Sequence, residues 1–404
     1  MSQPIPKEFR NVTFRLLPGS REKAMQLARI AGACRFVWNE MLDQQEQIHT
    51  IAGMCAARTP SPTFFTLGKA FTQLRKVTPW LQTMPFAVVR YTLKHQADAW
   101  QRFFRGEAGR PKFRSRQGDA AFTIPQNVGI SDGKLRIPTV GWMRLRRRGG
   151  NPWAGGEAKS VSVKRIGGKW YAVVCYAIPV QERPDNGAVV GVDMNAGQVT
   201  SSDGVMHRVP DTRRREARMK RYARKMARQQ RGSRRREHTL ARLAKTRRAI
   251  AMARRDWQHQ TSRRLAGTAG TVVIEDLKTR AMTASAKGTV EDPGSNVRQK
   301  AGLNRVILAT GWAGLRQMLG YKVARLVAVP AHYTSQTCAE CGAVDARSRR
   351  AQAIFECVAC GHADHADLNA ARNIRRRGQA HLHGEGRSHQ ATPASRETDR
   401  RLAA

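Results

Sequence analysis

The chain has 404 residues, 41% of them hydrophobic, which is enough for about two to four domains with cores of their own. Its 72 Lys and Arg against 30 Asp and Glu give a formal net charge of +42 and a pI of about 11.4. That surplus far exceeds the ~6–10 phosphates that a typical DNA-binding module contacts. No uncharged apolar run reaches the ~18 residues of a membrane span, and the first residues lack the apolar core of a signal peptide, so we expect neither.

A basic surplus of this size indicates a long polyanionic partner such as a structured RNA. A membrane surface is the alternative partner, but the basic residues are spread along the whole chain rather than confined to one amphipathic helix. Four of the seven cysteines form a paired cluster and three are scattered, which is typical of a reducing compartment with a metal site. We therefore expect a cytoplasmic, nucleic-acid-binding protein without a membrane association.

The first part of the chain predicts one strand, then helices, then several strands. Residues 8–17 alternate apolar and polar side chains, as a strand with one buried face does. Helical spacing of apolar residues follows, with Ser20 as the predicted N-cap. After a predicted loop near 59–66, the helical pattern resumes from Leu67 to about Gly106, with breaks at Pro79 and Pro85. Short β-type runs broken by Gly and Pro then extend over 107–180, including a predicted hairpin at Gly167-Gly168.

The second part predicts strands that alternate with helices. The apolar runs "AVVGVD" and "TVVIE" predict buried strands. Residues 212–266 predict two helices that meet at Gly232-Ser233. Nineteen Lys and Arg lie between Arg213 and Arg255 with few acids, so we expect phosphate contacts there rather than a merely solvated face.

Four cysteines form two Cys-x2-Cys pairs, fifteen residues apart, at the spacing of a zinc ribbon: Cys338, Cys341, Cys357 and Cys360. Zn²⁺ binds four thiolates as a tetrahedron at ~2.3 Å. Gly342 and Gly361 follow the pairs and permit the tight backbone turn of each. Four thiolates complete the coordination, so the predicted site is structural, and His362 and His365 are alternative ligands that it does not require.

Three carboxylates lie at the ends of predicted elements. Asp193 ends "AVVGVD", Glu275 ends "TVVIE" and Asp367 opens the helix "DLNAARNI". Carboxylates that converge can hold paired Mg²⁺ ions ~3.5–4 Å apart, which clamp the attacking and leaving oxygens of a phosphodiester. Each acid also has an ordinary explanation as a turn former, a solvated strand end or an N-cap. Two other acids are competing candidates. Asp276 points to the face of the strand opposite Glu275, and Asp364 lies three residues, nearly one helical turn, before Asp367.

Segments spread over nearly the whole chain to about residue 376 resemble TnpB, the transposon-encoded family of RNA-guided nucleases ancestral to the type V CRISPR effectors. The main segments are "FRLLPGSREKAMQLARIAGACRFVWNEML", "QRFFRGEAGRPKFRSR", "GVDMNAG", "TVVIEDL", "GLNRVILATGWAGLRQMLGYK" and "YTSQTCAECG" with "CVACGHADHADLNAARNI". The resemblance implies a RuvC-type nuclease in which Asp193, Glu275 and Asp367 form the catalytic triad. The position before Asn-Ala-Ala favours Asp367 over Asp364. The family commonly has a glycine where Asn195 stands, a departure that we expect to leave the acids unaffected.

The resemblance also implies a multi-domain α+β and α/β protein, in which a β-barrel wedge is interrupted by a helical recognition domain. A ribonuclease H-like RuvC domain follows, with an inserted four-cysteine zinc ribbon that handles the target strand. The expected segments are wedge 1–18, recognition 19–116, wedge 117–182, RuvC 183–334 with the basic segment 212–266, zinc ribbon 335–362, RuvC helix 363–376 and a disordered basic tail 377–404.

The implied function is RNA-guided, metal-dependent cleavage of DNA by a protein encoded in a transposable element. The implied cofactors are two Mg²⁺ per active site and one structural Zn²⁺. The implied partners are a structured guide RNA and target double-stranded DNA, in a monomeric ribonucleoprotein that reads a short flanking motif. Three alternatives stay open: a CRISPR-associated miniature effector, a nuclease-inactive RNA-guided repressor, which predicts a lost acid, and a plain zinc-ribbon nucleic-acid-binding protein, which leaves the acids unexplained.

Overall fold

A computed structural model describes residues 6–55, 61–116, 120–289 and 291–384. It divides into two compact units, Met1–Gln181 and Glu182–Ala404. No helix within the described ranges is both long enough and apolar enough to cross a membrane.

The first unit combines a seven-stranded antiparallel sheet with four helices. The strands are β1 (Lys7–Leu17), β2 (Ala121–Ile124), β3 (Ile130–Ser131), β4 (Lys134–Ile137), β5 (Gly141–Arg146), β6 (Glu157–Ile166) and β7 (Lys169–Pro179). The helices are α1 (Arg21–Met54), α2 (Phe64–Val77), α3 (Pro79–Gln82) and α4 (Phe86–Phe104). The strand order β2-β6-β7-β1-β5-β4-β3 leaves β2 and β3 at the two edges. The expected barrel is therefore a half-barrel, because edge strands of four and two residues offer too short a ladder to close it.

Local signals in this unit act as predicted. The Ser20 hydroxyl accepts a hydrogen bond from the Lys23 N–H at 3.1 Å and caps α1. Gly167 and Gly168 both have positive φ and form the turn between β6 and β7. Apolar residues of the sheet and the helices share one hydrophobic core, in which Leu16 of β1 and Leu27 of α1 are fully buried.

The second unit contains a five-stranded mixed sheet, a two-stranded sheet and six helices in its described residues. The strands are β8 (Val189–Asn195), β9 (Gln198–Ser201), β10 (Met206–Arg208), β11 (Thr271–Glu275), β12 (Arg325–Val329), β13 (Ile354–Glu356) and β14 (Ala363–His365). The helices are α5 (Arg213–Ala227), α6 (Arg234–Thr268), α7 (Thr279–Met282), α8 (Val297–Thr310), α9 (Trp312–Gly320) and α10 (Ala366–Leu382). The large sheet has the order β10-β9-β8-β11-β12, with β8, β11 and β12 parallel.

Two glycines bring α10 close to this sheet. A Cβ atom on Gly191 of β8 would collide with the backbone of Ala371 and Arg375, and one on Gly378 would collide with the Val273 side chain. Val273 belongs to a small core between the sheet and this helix. The absence of these two side chains therefore lets α10 lie directly on β8 and β11.

This packing corrects two expected boundaries. The tail predicted over 377–404 does not begin at 377, because α10 continues on the sheet to Leu382; residues 385–404 lie outside the described ranges. The C-terminal helix begins at Ala366 rather than at 363, because 363–365 pair with β13 in the two-stranded sheet.

Candidate active site and zinc centre

The three predicted acids converge near the carboxyl ends of β8 and β11, two inner strands of the large sheet. Parallel strands β8 and β11 pair Val192 with Ile274, so Asp193 and Glu275, the next residue of each strand, lie side by side. Asp367 lies in the first turn of α10, which packs across β8. All three side chains are buried. The acids come from distant parts of the sequence, and the fold alone brings them together.

The site is electrostatically unfavourable without a cation. Burial raises the pKa of Asp193 well above its usual value, and the nearby charges of Glu275 and Asp367 raise it further, while Arg349 acts in the opposite direction. Burial also raises the pKa of Glu275, against a hydrogen bond from Thr334. Buried carboxylates that repel one another form an oxygen-rich site of the kind that hard divalent cations bind. The donor set therefore fits Mg²⁺.

Side-chain amides lie between the acids. Asn195 Nδ2 donates to Asp193 Oδ2 at 2.8 Å and also to Asp367 Oδ1. Gln198 Nε2 donates to Asp367 Oδ2 at 2.6 Å. These donors neutralise part of the carboxylate charge in the absence of a cation. Among the described residues, only the four cysteines form a group of three or more metal-binding side chains whose ligand atoms all lie within 4.8 Å.

The expectation that the departure at Asn195 leaves the acids unaffected is therefore wrong, because Asn195 contacts two of them. The signal was available in the sequence: Asn195 lies two residues after Asp193, on the same face of a strand. No comparable sequence pattern points to Gln198. This residue begins β9, and the turn between β8 and β9 brings its side chain to Asp367.

The two competing acids have partners elsewhere. Asp276 accepts hydrogen bonds from Arg316 at 2.9 Å and Lys278 at 3.2 Å, which lower its pKa. Asp364 accepts a hydrogen bond from Arg372 at 2.7 Å and lies in the two-stranded sheet. The geometry therefore favours Glu275 over Asp276 and Asp367 over Asp364.

The four cysteines form a second, separate centre. The Sγ atoms of Cys338 and Cys360 are 3.7 Å apart, and those of Cys341 and Cys357 are 3.6 Å apart. All four Sγ atoms lie within 4.8 Å of one another. A tetrahedron with Zn–S distances of ~2.3 Å places its ligands roughly 3.8 Å apart, so the cluster fits Zn²⁺.

Each cysteine pair forms the predicted turn. Gly342 and Gly361 have φ of 78° and 72°, and their N–H groups donate to the carbonyls of Cys338 and Cys357. His365, one of the alternative ligands, instead caps α10 by accepting a hydrogen bond from the Asp367 N–H at 3.2 Å. The predicted role of the two glycines is therefore confirmed.

The basic segment forms two helices, α5 and α6, which meet at Gly232 and the N-cap Ser233 as predicted. Sixteen of the nineteen Lys and Arg between Arg213 and Arg255 are exposed, and no residue of α5 is buried. Glu216 of α5 accepts a hydrogen bond from Arg254 of α6 at 2.9 Å and ties the helices together. An exposed surface with so many cations is suited to phosphate binding.

Three family models match the chain. One described as "Cas12f1-like, TNB domain" matches residues 312–374, and one described as "Probable transposase" matches 173–286. One described as "Helix-turn-helix domain" matches 10–55. The described part of that last range contains strand β1 and the single helix α1, without a turn between two helices.

The chain is also similar to named proteins. It is 34% identical over 385 residues to "Putative RNA-guided DNA endonuclease InsQ" of Escherichia coli K12, covering 93% of this chain and 94% of that protein. It is 28% identical over 393 residues to "Putative RNA-guided DNA endonuclease" of Streptomyces pristinaespiralis, covering 93% of this chain and 90% of that protein. The solved "Cas12f1-sgRNA-target DNA complex" matches with a TM-score of 0.53 and 14% identity over 88% of this chain and 83% of that chain. At that identity, the likeness concerns the fold alone.

Proposed function

Because the chain belongs to the TnpB family of transposon-encoded nucleases, we propose that it is an RNA-guided, metal-dependent endonuclease that cuts DNA paired with its guide. One observation carries the proposal: Asp193, Glu275 and Asp367 are buried together near the carboxyl ends of β8 and β11, where their charges repel. A protein that bound nucleic acid without cutting it would have no use for this destabilising arrangement.

The three acids are proposed to hold Mg²⁺ through their carboxylate oxygens, in a sheet that we assign to the ribonuclease H-like fold. Two Mg²⁺ ions, when bound, would supply charge stabilisation for the attacking water and the leaving oxygen. Asn195 and Gln198 orient the Asp367 carboxylate by donating hydrogen bonds to both of its oxygens.

The remaining segments are assigned to nucleic-acid partners. Helices α5 and α6 contact the backbone of the guide–target heteroduplex, because their exposed cations match its phosphates. The half-barrel and the helices of the first unit serve as wedge and recognition domains. The zinc module handles the target strand. The working particle is a monomeric ribonucleoprotein in the cytoplasm of a prokaryote, and it reads a short DNA motif beside the paired region.

The proposal is tested by purifying the protein from cells and sequencing the RNA that copurifies with it. The ribonucleoprotein is then given DNA that matches the guide and DNA with a scrambled target, with Mg²⁺ or with EDTA. We expect cleavage only of the matched DNA and only with Mg²⁺. A soluble protein that purifies free of nucleic acid at low salt, or matched DNA that stays intact, would contradict the proposal.

A further inference from the structure

Two asparagines of α10 tie this helix to the first turn of the zinc module. Asn369 accepts a hydrogen bond from the Ala339 N–H at 2.8 Å and donates to the Thr337 carbonyl at 2.8 Å. Asn373, one helical turn later, donates to the same carbonyl at 2.6 Å and to the Thr334 carbonyl at 3.0 Å. Both asparagines are buried. The segment 334–339, which leads into the first cysteine pair, is thus fixed to the helix that carries Asp367.

The same segment reaches a second acid. The buried Thr334 hydroxyl donates to Glu275 Oε1 at 2.5 Å. That hydroxyl also lies 3.0 Å from the Ala331 carbonyl, but it has one proton, and its contact with Glu275 is the shorter of the two. The hydrogen bond occupies one oxygen of Glu275 and leaves Oε2 for a cation.

A continuous path of hydrogen bonds therefore runs from Ala339, inside the first cysteine pair, to Glu275 and to the helix that carries Asp367. One branch passes through Asn373 and Thr334 to Glu275. The other passes through Asn369 into the first turns of α10, two residues after Asp367. Buried asparagines often only satisfy backbone groups, but a donor that contacts a carboxylate ligand also sets that ligand's orientation.

We propose that Thr334, Asn369 and Asn373 are positioning residues through which the zinc-loaded module holds Glu275 and Asp367 in the arrangement that binds the divalent cation. This inference depends on the proposed function for its acid site. The zinc module has very little core of its own, with Phe355 as its large buried side chain. The order of segment 334–339 therefore depends on the metal. Loss of zinc frees Thr334 and Glu275 together.

The test measures cation binding by the full ribonucleoprotein without DNA. Mn²⁺, a spectroscopic substitute for Mg²⁺, is titrated and its free concentration is followed by electron paramagnetic resonance. The Glu275→Gln ribonucleoprotein gives the background from RNA-bound Mn²⁺. Thr334→Val removes the hydroxyl at nearly constant shape, and we expect the Kd for site-bound Mn²⁺ to rise about tenfold while zinc stays at one per chain. Thr334→Ser, which keeps the hydroxyl, should stay within about twofold of wild type.

Two further variants separate positioning from folding. Cys360→Ser should release zinc and weaken Mn²⁺ binding in the wild-type background, but add little to Thr334→Val, because both break the same path. Asn373→Leu should weaken Mn²⁺ binding with zinc retained. Wild-type Mn²⁺ affinity in zinc-loaded Thr334→Val and Asn373→Leu would overturn this inference alone. Equal Mn²⁺ binding by wild type and Glu275→Gln would instead overturn the acid site of the proposed function.

Discussion

The zinc centre and the acid centre differ in how the chain assembles them. The four cysteines lie within residues 338–360, and two local turns bring their sulfur atoms to contact. The three acids span Asp193 to Asp367 and meet only because β11 pairs with β8 and α10 packs across them. A local motif is sufficient for a structural metal site, whereas the acid centre requires the finished fold.

The two centres also differ in whether they leave a coordination position open for a substrate. Four thiolates complete the coordination of zinc, so the site has no position for a substrate. In the acid centre, by contrast, Asp193 and Asp367 accept hydrogen bonds from the amides of Asn195 and Gln198, and burial raises the pKa values of Asp193 and Glu275. Such a site is costly to fold and keeps positions for water and phosphate. We expect the first centre, with zinc bound, to stabilise the protein and the second to destabilise it.

The largest expected effect tests the acid centre. Asp193→Ala, Glu275→Ala and Asp367→Ala each remove a cation ligand, so cleavage of guide-matched DNA should fall by roughly a thousandfold or more, equivalent to about 4 kcal/mol. RNA and target binding should survive, because we expect the exposed Arg and Lys side chains to hold the phosphates. Single-turnover cleavage rates and filter binding measure the two effects.

The neighbouring acids provide matched controls for these variants. Asp276→Ala and Asp364→Ala remove carboxylates adjacent to Glu275 and close to Asp367, but each lost carboxylate pairs with an arginine outside the site. Both variants should cut at nearly the wild-type rate. If Asp364→Ala were inactive and Asp367→Ala active, Asp364 rather than Asp367 would be the third acid. Cleavage by Asp193→Ala would contradict the mechanism.

The next effect tests the zinc centre. Cys357→Ser removes one of four thiolates, so zinc should be lost and the module should unfold locally. We expect cleavage to fall by about 10–100-fold, because the helix bearing Asp367 loses its support, while RNA binding changes little. Metal analysis and cleavage assays measure both. Cys55→Ser, at an exposed cysteine outside the cluster, is the control, and unchanged zinc in Cys357→Ser would refute the ligand assignment.

The same contrast explains what could be predicted from the sequence. The zinc turns, the Ser20 cap and the break at Gly232-Ser233 depend on neighbours in sequence, and the structure has all of them. Asp193 and Glu275 stood out because they end apolar runs, and Asp367 because it opens a predicted helix. Their convergence rested on a family resemblance rather than on the residues themselves. The reason is physical: the pairing of β8 with β11 leaves no trace in local composition.

The features that could not be predicted depend on contacts between distant segments. Gln198 and Asp367 are 169 residues apart, and Thr334 and Glu275 are 59 apart, so no local pattern connects them. The predicted end of the C-terminal helix, at residue 376, was wrong for the same kind of reason, because the helix continues to Leu382. The sequence after Ile374 is polar and basic, but Gly378 packs against Val273 and extends the helix.

A smaller effect tests whether the basic segment contacts phosphates. Arg214, Arg218 and Arg221 are exposed along α5. Replacing all three with Gln should lower RNA affinity and reduce the slope of log K against log salt by about 2–2.7, at ~0.7 to 0.9 per lost contact. Replacing all three with Lys keeps the charge and should preserve the slope. An unchanged slope in the Gln variant would show that this face is only solvated.

The smallest effect tests whether the acid centre destabilises the fold. The folded pKa of Asp193 lies above that of the unfolded chain, so its ionisation opposes folding: stability should fall as pH rises from the ordinary carboxylate pKa through the raised one. Asp193→Asn should therefore raise the free energy of unfolding by roughly 1 kcal/mol at pH 8 without divalent cations. The gain should vanish below about pH 4, where both states of the wild type are protonated.

Chemical denaturation at several pH values measures this gain in the free energy of unfolding of Asp193→Asn. Repeating the measurement with Mg²⁺ gives a second test. Mg²⁺ should stabilise the wild type more than Asp193→Asn, because only the complete acid site binds it well. Asp276→Asn is the opposite control. Its ion pairs lower the pKa of Asp276, so that variant should lose a little stability, within the ~0–1 kcal/mol of exposed pairs. If Asp193→Asn without divalent cations were less stable than wild type at pH 8, the acid centre would support the fold rather than destabilise it.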